Sequence, residues 1–171
     1  MERTLIVFKP DALQRGITGE ILSRFEKVGL KIIGLKMMAP EHEHFHAHYE
    51  GIGGVISRHG EDVFNVTLFN MMEGPVISAV LEGIEAVALV RKMVGSTEPG
   101  KSAPGTIRGD YAQSNISHAN SNGKTLPNVI HASASFEEAE QEIALWFSAP
   151  ELYAYKTVQE DTIHGKVPPK S

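Results

Sequence analysis

At 171 residues, with 42% hydrophobic and 22% charged side chains, the chain is long enough for one domain with a substantial core. A formal net charge of −5 excludes wholesale nucleic-acid binding, though not a local basic pocket. There is no cysteine and hence no disulfide framework, Met1-Glu2-Arg3-Thr4 shows no signal-peptide pattern, and no apolar run approaches the roughly 20 residues a membrane-spanning helix needs. A cytoplasmic protein is therefore expected, with no membrane and no obligate nucleic-acid partner.

In chain order, the apolar run Thr4-Leu5-Ile6-Val7-Phe8 predicts a strand over 3–8, closed by Lys9-Pro10-Asp11. A helix is expected over 18–27, ended by Gly29, and a strand over 30–38. Pro40 opens a short helix reaching Tyr49, and Gly51, Gly53 and Gly54 mark a loop. A helix near 61–72, a strand near 75–81 and a helix over 84–94 follow. Residues 95–127 read mostly as loop, and a last strand and helix surround His131. This order predicts an α+β sheet with helices packed on one face. The expectation is a single domain over 1–171, with an extended loop at about 110–127 and a frayed tail at 165–171.

His131 ends the run Asn128-Val129-Ile130. Ser135 with Glu138 reads as a capping box opening a helix whose apolar positions are Phe136, Ala139, Ile143 and Trp146. His131 thus sits at a strand-to-helix junction, and Glu142, two turns into the helix, can turn its carboxylate back to orient the imidazole. Such a histidine is a candidate nucleophile or general base. On the local sequence alone a packed, structural histidine is the simpler reading.

The rest of the chain shifts that balance. Lys9 lies at a strand end before a proline turn. Pro104-Gly105-Thr106-Ile107-Arg108-Gly109-Asp110 is a rigid loop around one arginine, and Arg91 and Thr97 add a second guanidinium and a hydroxyl. Guanidinium groups match phosphate oxygens bidentately. Any one of these cations is ordinarily a solvated surface charge. Lys9, Arg91, Thr97, Arg108, Asn128 and His131 together make a polyphosphate site with a nucleophile.

Two other motifs compete. Gly95-Ser96-Thr97-Glu98-Pro99-Gly100-Lys101-Ser102 fits the phosphate-loop pattern, but a helix precedes it and Ala103-Pro104-Gly105 follows, where a strand and a helix are required. His42-Glu43-His44-Phe45-His46 fits H-E-x-x-H, with His44 and His48 as a second pair. This helix is short and polar, which favours a solvated face over a zinc site.

The chain resembles the nucleoside diphosphate kinase family. The resemblance is carried, in family order, by Glu2-Arg3-Thr4-Leu5, Lys9-Pro10-Asp11, Gln14-Arg15-Gly16, Gly74-Pro75-Val76, Arg91 with Gly95-Ser96-Thr97 and Pro99, Pro104 to Asp110, Asn128 to Ser133 and the helix Glu140 to Phe147. It implies a ferredoxin-like antiparallel four-stranded sheet and transfer of the γ-phosphate of ATP, or another nucleoside triphosphate, to a nucleoside diphosphate, ping-pong through a phosphohistidine. It further implies that His131 attacks the γ-phosphate while Glu142 orients its ring. Ser133 hydrogen-bonds that carboxylate or the phosphoryl group. Lys9, Arg91, Thr97 and Arg108 clamp phosphates, Asn128 and Lys9 contact the ribose, and Tyr49 lies near the histidine. Mg²⁺ is the expected cofactor, held by nucleotide phosphates rather than by the protein, and the assembly a hexamer or tetramer of identical chains. Loose selection of the base is expected.

Departures from the family pattern are Ala132 for a glycine after the histidine, Ala134 for an acidic residue, longer stretches after Tyr49 and between Asp110 and Pro127, and the base-stacking aromatic, which is Phe64 or, in strict register, Val63. A non-catalytic nucleotide-binding relative and a metal protein using His42, His44, His46 and His48 are the alternatives.

Overall fold

The computed structural model describes residues 1–121, 126–163 and 165. Its strands are β1 (Glu2–Phe8), β2 (Lys31–Met38), β3 (Val76–Gly83) and β4 (Ile130–Ala132), in one sheet of order β2-β3-β1-β4 with every pair antiparallel. The helices are α1 (Pro10–Gln14), α2 (Thr18–Lys27), α3 (His42–His46), α4 (Val55–His59), α5 (Glu61–Met71), α6 (Ala86–Val94), α7 (Ile107–Tyr111), α8 (Ile116–Ser121), α9 (Phe136–Trp146) and α10 (Glu160–Ile163). A π-turn over Ala47–Ile52 joins α3 towards α4, and short 3₁₀ turns span Pro99–Lys101 and Ala149–Glu151.

Helices cover both faces of the sheet, not one. The five consecutive buried residues Thr4 to Phe8 show why: a strand that alternates buried and exposed has one wet face, and β1 has none. Ile6 and Phe8 point into a core with Ile21 and Phe25 of α2 and Val90 of α6. Leu5 and Val7 point into a second core with Phe45, Tyr49, Phe64, Leu68 and Trp146.

Most expected elements stand where the pattern put them, and α2 spans the residues predicted. The stretch after Tyr49 is a π-turn and then α4, entered through Gly54 in the left-handed region at φ 57°. The region read as loop holds α7 and α8, while residues 122–125 of the long insertion and most of the tail at 165–171 lie outside the described residues.

β1 and β4 fix the position that matters. β4 pairs with β1 so that His131 stands opposite Val7. The residue before β4, Val129, has φ 57°, a genuine outlier for a β-branched side chain. It is held there from both sides: its carbonyl accepts the Lys9 amide at 3.0 Å and its own amide donates to Asp11 Oδ2 at 3.2 Å. The bend delivers Asn128 and His131 to the end of β1 where Lys9 sits.

Candidate active site

His131 leaves β4 with its imidazole partly exposed, and Nε2 lies 2.8 Å from Oε1 of Glu142. The Ser133 hydroxyl donates to the other carboxylate oxygen at 2.6 Å and accepts the Leu5 amide at 3.2 Å. Glu142 is 2% exposed. Burial pushes its carboxyl up, but the attraction of the positive charge His131 carries when protonated, and the hydrogen bonds from His131 and Ser133, outweigh this and hold it below the ordinary carboxylate range. A carboxylate accepts only, so His131 carries its proton on Nε2 and leaves the Nδ1 lone pair free. The junction at α9 supports this geometry: the Ser135 hydroxyl caps the helix by accepting the Glu138 amide at 3.2 Å. The reciprocal half of the expected box is absent, because Glu138 accepts the Ala134 amide at 3.3 Å and Arg58 at 3.2 Å. Phe136, expected on the apolar stripe, is exposed.

The cations line the same cleft as the imidazole. Arg108, on α7, is 3% exposed. Its Nε donates to the Asn128 carbonyl at 3.1 Å, one terminal nitrogen donates to the carbonyl of Ser96 at 3.1 Å, and the other to that of Ile130. Burial and the neighbouring Arg91 charge lower its pKa to about 10, against the pull of Tyr49 and Asp11, so it stays charged at neutral pH. Gly109 beside it is forced: a Cβ there would collide with the Ala103 carbonyl and the Thr106 hydroxyl. Thr106 caps α7 by accepting the Gly109 amide at 3.1 Å. Lys9 Nζ donates to Asn128 Oδ1 at 2.6 Å, and the Asn128 amide donates to the Thr97 carbonyl at 2.9 Å. Burial first, then the Arg108 charge, lower the Lys9 ammonium to about 8, with Asp11 opposing. Arg91 reaches the Ala132 carbonyl at 3.5 Å. Tyr49 is buried with its hydroxyl unpartnered, and its pKa is raised by burial and by Glu142, against Arg108.

These groups line one cleft of about 750 Å³ that Lys9, Tyr49, Arg91, Thr97, Arg108, Asn128, His131 and Glu142 share. A volume in the range of cofactor pockets, a neutral nucleophilic nitrogen and three cations on one wall suit a ligand with a chain of phosphates. Over residues 2–152 the sequence matches the family model described as nucleoside diphosphate kinase. The chain belongs to the nucleoside diphosphate kinase family.

Relatives carrying that family's name include the nucleoside diphosphate kinase of Pyrococcus horikoshii, 48% identical over 155 residues that cover 90% of each chain. That of Borreliella burgdorferi is 39% identical over 160 residues, 94% of this chain and 95% of the relative. Among solved structures, the Borrelia burgdorferi nucleoside diphosphate kinase transition-state mimic with bound vanadate and ADP superposes with a TM-score of 0.92 at 39% identity, covering 95% of this chain and 96% of that one. The Halobacterium salinarum enzyme in complex with CDP matches with a TM-score of 0.80 at 35% identity, covering 95% and 97%.

The motifs that competed with the nucleoside diphosphate kinase reading are placed by the fold. In the segment resembling a phosphate loop, Arg108 takes the carbonyls of Gly95 and Ser96, a 3₁₀ turn spans Pro99–Lys101, and exposed Lys101 pairs with Glu98 at 2.7 Å. Of the H-E-x-x-H segment, His42 and His46 keep their ring centroids 6.2 Å apart, but His46 also meets Phe64 at 5.2 Å and His44 turns away to meet Trp146 edge-on at 4.5 Å. Among the described residues, the one group of three titratable side chains close enough to share a metal is His48, His131 and Glu142.

Phe64 is corrected. It is 4% exposed in the second core and does not line the cleft, whereas Val63, 43% exposed, does. On α5 adjacent residues point about 100° apart, so only one of the pair can face the cleft, and the ring is the one the core takes. Val66 of α5 and Ile116, Ala119 and Leu126 of the long insertion line the same cleft, and the residue types alone did not single them out. His48 also escaped the sequence reading, which paired it with His44. Its adjacency to Tyr49 was the available signal.

Proposed function

We infer that this chain catalyses nucleoside diphosphate kinase chemistry, with His131 as the phosphoryl carrier, and that the contact between His131 Nε2 and Glu142 on the wall of a cation-lined cleft carries the assignment. The Nδ1 lone pair attacks the γ-phosphorus of ATP or another nucleoside triphosphate. A P–N bond forms, the bond from Pγ to the bridging β-oxygen breaks, and the nucleoside diphosphate leaves with that electron pair. In the second half a terminal phosphate oxygen of a different nucleoside diphosphate attacks the phosphorus of the phosphohistidine, a new P–O bond forms, and the P–N bond breaks with its electron pair returning to Nδ1. Glu142 stabilises the imidazolium character that grows as the ring gains phosphorus, and Ser133 holds the carboxylate in place.

Arg91, Arg108, Lys9 and Thr97 meet the charge spread over the phosphoryl oxygens, and the unpartnered Tyr49 hydroxyl supplies a further donor. Lys9 and Asn128, already joined, present one polar edge to the ribose. Three cations on the wall suit phosphates and repel a bare metal ion. Mg²⁺ would therefore be held by the phosphates of the bound nucleotide rather than by protein side chains, and would supply neutralisation of their charge. An aliphatic lining of Val63, Val66 and Ile116 covers a base without reading its edge, which supports broad use of purine and pyrimidine nucleotides.

The chain works as a single catalytic domain, in the cytoplasm, and as a homo-oligomer, hexamer or tetramer. No helix among the described residues is long and apolar enough to cross a membrane. Light scattering of the purified protein measures the assembly.

The experiment is a two-step transfer. The protein is mixed with γ-labelled ATP and Mg²⁺, free nucleotide is removed, and unlabelled GDP or UDP is added. Acid-labile label on the wild type that chases to GTP or UTP, and is missing from a folded, nucleotide-binding H131A, is the expected result. Wild-type turnover by H131A ends the assignment of His131. Nucleotide binding without label on the wild type indicates a non-catalytic relative.

A further inference from the structure

His48 takes part in none of the steps above, yet it lies inside the machinery. The π-turn over Ala47–Ile52, a rare geometry frequently found at functional sites, turns His48 and Tyr49 consecutively inward. His48 is 2% exposed. Its Nδ1 accepts the indole N–H of Trp146 at 3.2 Å, so the lone pair is at Nδ1 and the ring is neutral. Burial, and the repulsion a protonated His131 would exert, with smaller contributions from His44 and Lys9 and against Glu142, hold its pKa down to about 3.

The trio His48, His131 and Glu142 has the look of a metal site, with ligand atoms within 4.8 Å of one another. The hydrogen bonds speak against it: the His48 lone pair is taken by Trp146, and His131 Nε2 carries the proton it gives to Glu142. His48 Nδ1 stays 3.7 Å from Glu142 Oε1, beyond hydrogen-bond reach, and leaves the carboxylate to His131 and Ser133. What His48 offers His131 is shape. The two rings meet edge to face, with centroids 4.5 Å apart and planes at 80°.

The outer torsion of histidine is broad and roughly two-fold, so nothing intrinsic to the residue decides which ring nitrogen faces the carboxylate. We propose that His48 is a positioning residue for phosphoryl transfer: a neutral ring, pinned by the Trp146 indole, that walls the His131 imidazole and keeps Nε2 on Glu142 and Nδ1 towards the cleft. A neutral wall serves here where a charged one would not, because a cation at this position would compete with His131 for Glu142. The proposal rests on His131 being the phosphoryl acceptor.

Two substitutions in the full chain separate the ring from its hydrogen bond. H48F keeps a ring and loses the acceptor. H48N puts an amide oxygen near the place of Nδ1, where it can still accept from Trp146, and has no ring. If the ring is the wall, kcat falls about threefold or less in H48F and at least tenfold in H48N, with KM for ATP and GDP unchanged within twofold in both. The Tm ranks the other way, since H48F leaves a buried indole N–H unsatisfied. Imidazole nitrogen NMR of His131 shows one tautomer in the wild type and H48F, and averaged nitrogens in H48N. A folded H48N with wild-type kcat, or an H48F that is the slower of the two, overturns the proposal. Failure of the wild type to take label from γ-labelled ATP overturns instead the reading of His131 on which it rests.

Discussion

Lys9 and Asn128 meet through a 2.6 Å hydrogen bond from the ammonium to the amide oxygen, which ties the end of β1 to the turn that opens β4. The other half of the same amide holds the Thr97 carbonyl, so one asparagine gathers three segments remote in sequence. The lysine is kept charged by little more than this contact and Asp11, while burial and Arg108 work against the charge.

That balance predicts an alkaline limb in nucleotide affinity. With the Lys9 pKa at about 8, the ammonium is lost as pH rises through that value, and KM for nucleotides should climb above pH 8. K9R, whose guanidinium stays charged, should flatten the climb. The sign for stability is opposite to that for binding. The folded pKa lies below the ordinary 10.5, so Lys9 opposes folding below pH 8 and the penalty fades as pH rises towards 10.5. K9M should therefore have a higher Tm than wild type at pH 7 while binding nucleotide poorly, which a thermal scan with and without ADP measures.

Arg108 and Lys101 should rank far apart. R108A removes a buried donor from the carbonyls of Asn128, Ile130, Ser96 and Gly95 as well as a cation from the cleft. Loss of about 10²-fold or more in kcat/KM is expected, by analogy with removal of one charge-stabilising donor. A fall of about 1–3 kcal/mol or more in stability accompanies it, from buried carbonyls left unpaired. K101A removes a 73%-exposed side chain whose ion pair among the described residues is with Glu98, and steady-state rates should change less than about twofold. The reverse ranking would restore the phosphate-loop reading of Gly95 to Ser102.

E142Q keeps the shape and removes the charge. A drop of about 10² in kcat is expected, in the range for removing one group that stabilises charge developing in the transition state, with nucleotide KM nearly unchanged. Because the folded Glu142 carboxyl sits below its ordinary value of 4.5, its stabilising contribution is present above that value and is lost as pH falls through the lowered one. Acid titrations of wild type and E142Q should converge at low pH and differ most near neutrality.

Val63 and Phe64 should exchange the effects their residue types suggest. F64A empties a buried core position and should cost about 3–5 kcal/mol, leaving KM of the folded enzyme nearly as it was. V63F places a ring on the cleft wall and should tighten nucleotide binding by about 0.5–1.5 kcal/mol through stacking on the base. Fluorescent-nucleotide titration with a parallel melt reads both.

The strand-to-helix junction at His131 was legible because its signals are local: an apolar run, a cap at Ser135 and a carboxylate at the right helical distance. The cations were legible as a set, since Lys9 and Arg108 sit among turn residues that have no packing reason to carry them. What stayed hidden depends on long-range contact. Whether Phe64 or Val63 faces the cleft is decided by the room left beside His46 and Leu68 in the second core. Val129 in a left-handed conformation is compelled by Lys9 and Asp11 from the far end of β1, and no local pattern announces it. His48 was assigned by its spacing to His44, while its real neighbours lie 83 and 98 residues further on, at His131 and Trp146.

Gly109 sets a limit on how this protein can diversify. The insertion on the far side of α7 adds cleft-lining residues such as Ile116 and Ala119, and drift there retunes the cleft without touching the reaction. Position 109 has no such latitude, because the smallest side chain would run into the Ala103 carbonyl and lever α7, with Arg108 on it, away from the backbone it grips. A deep mutational library of residues 95–121 should therefore return a tolerant outer arm and, at 109, a single surviving amino acid.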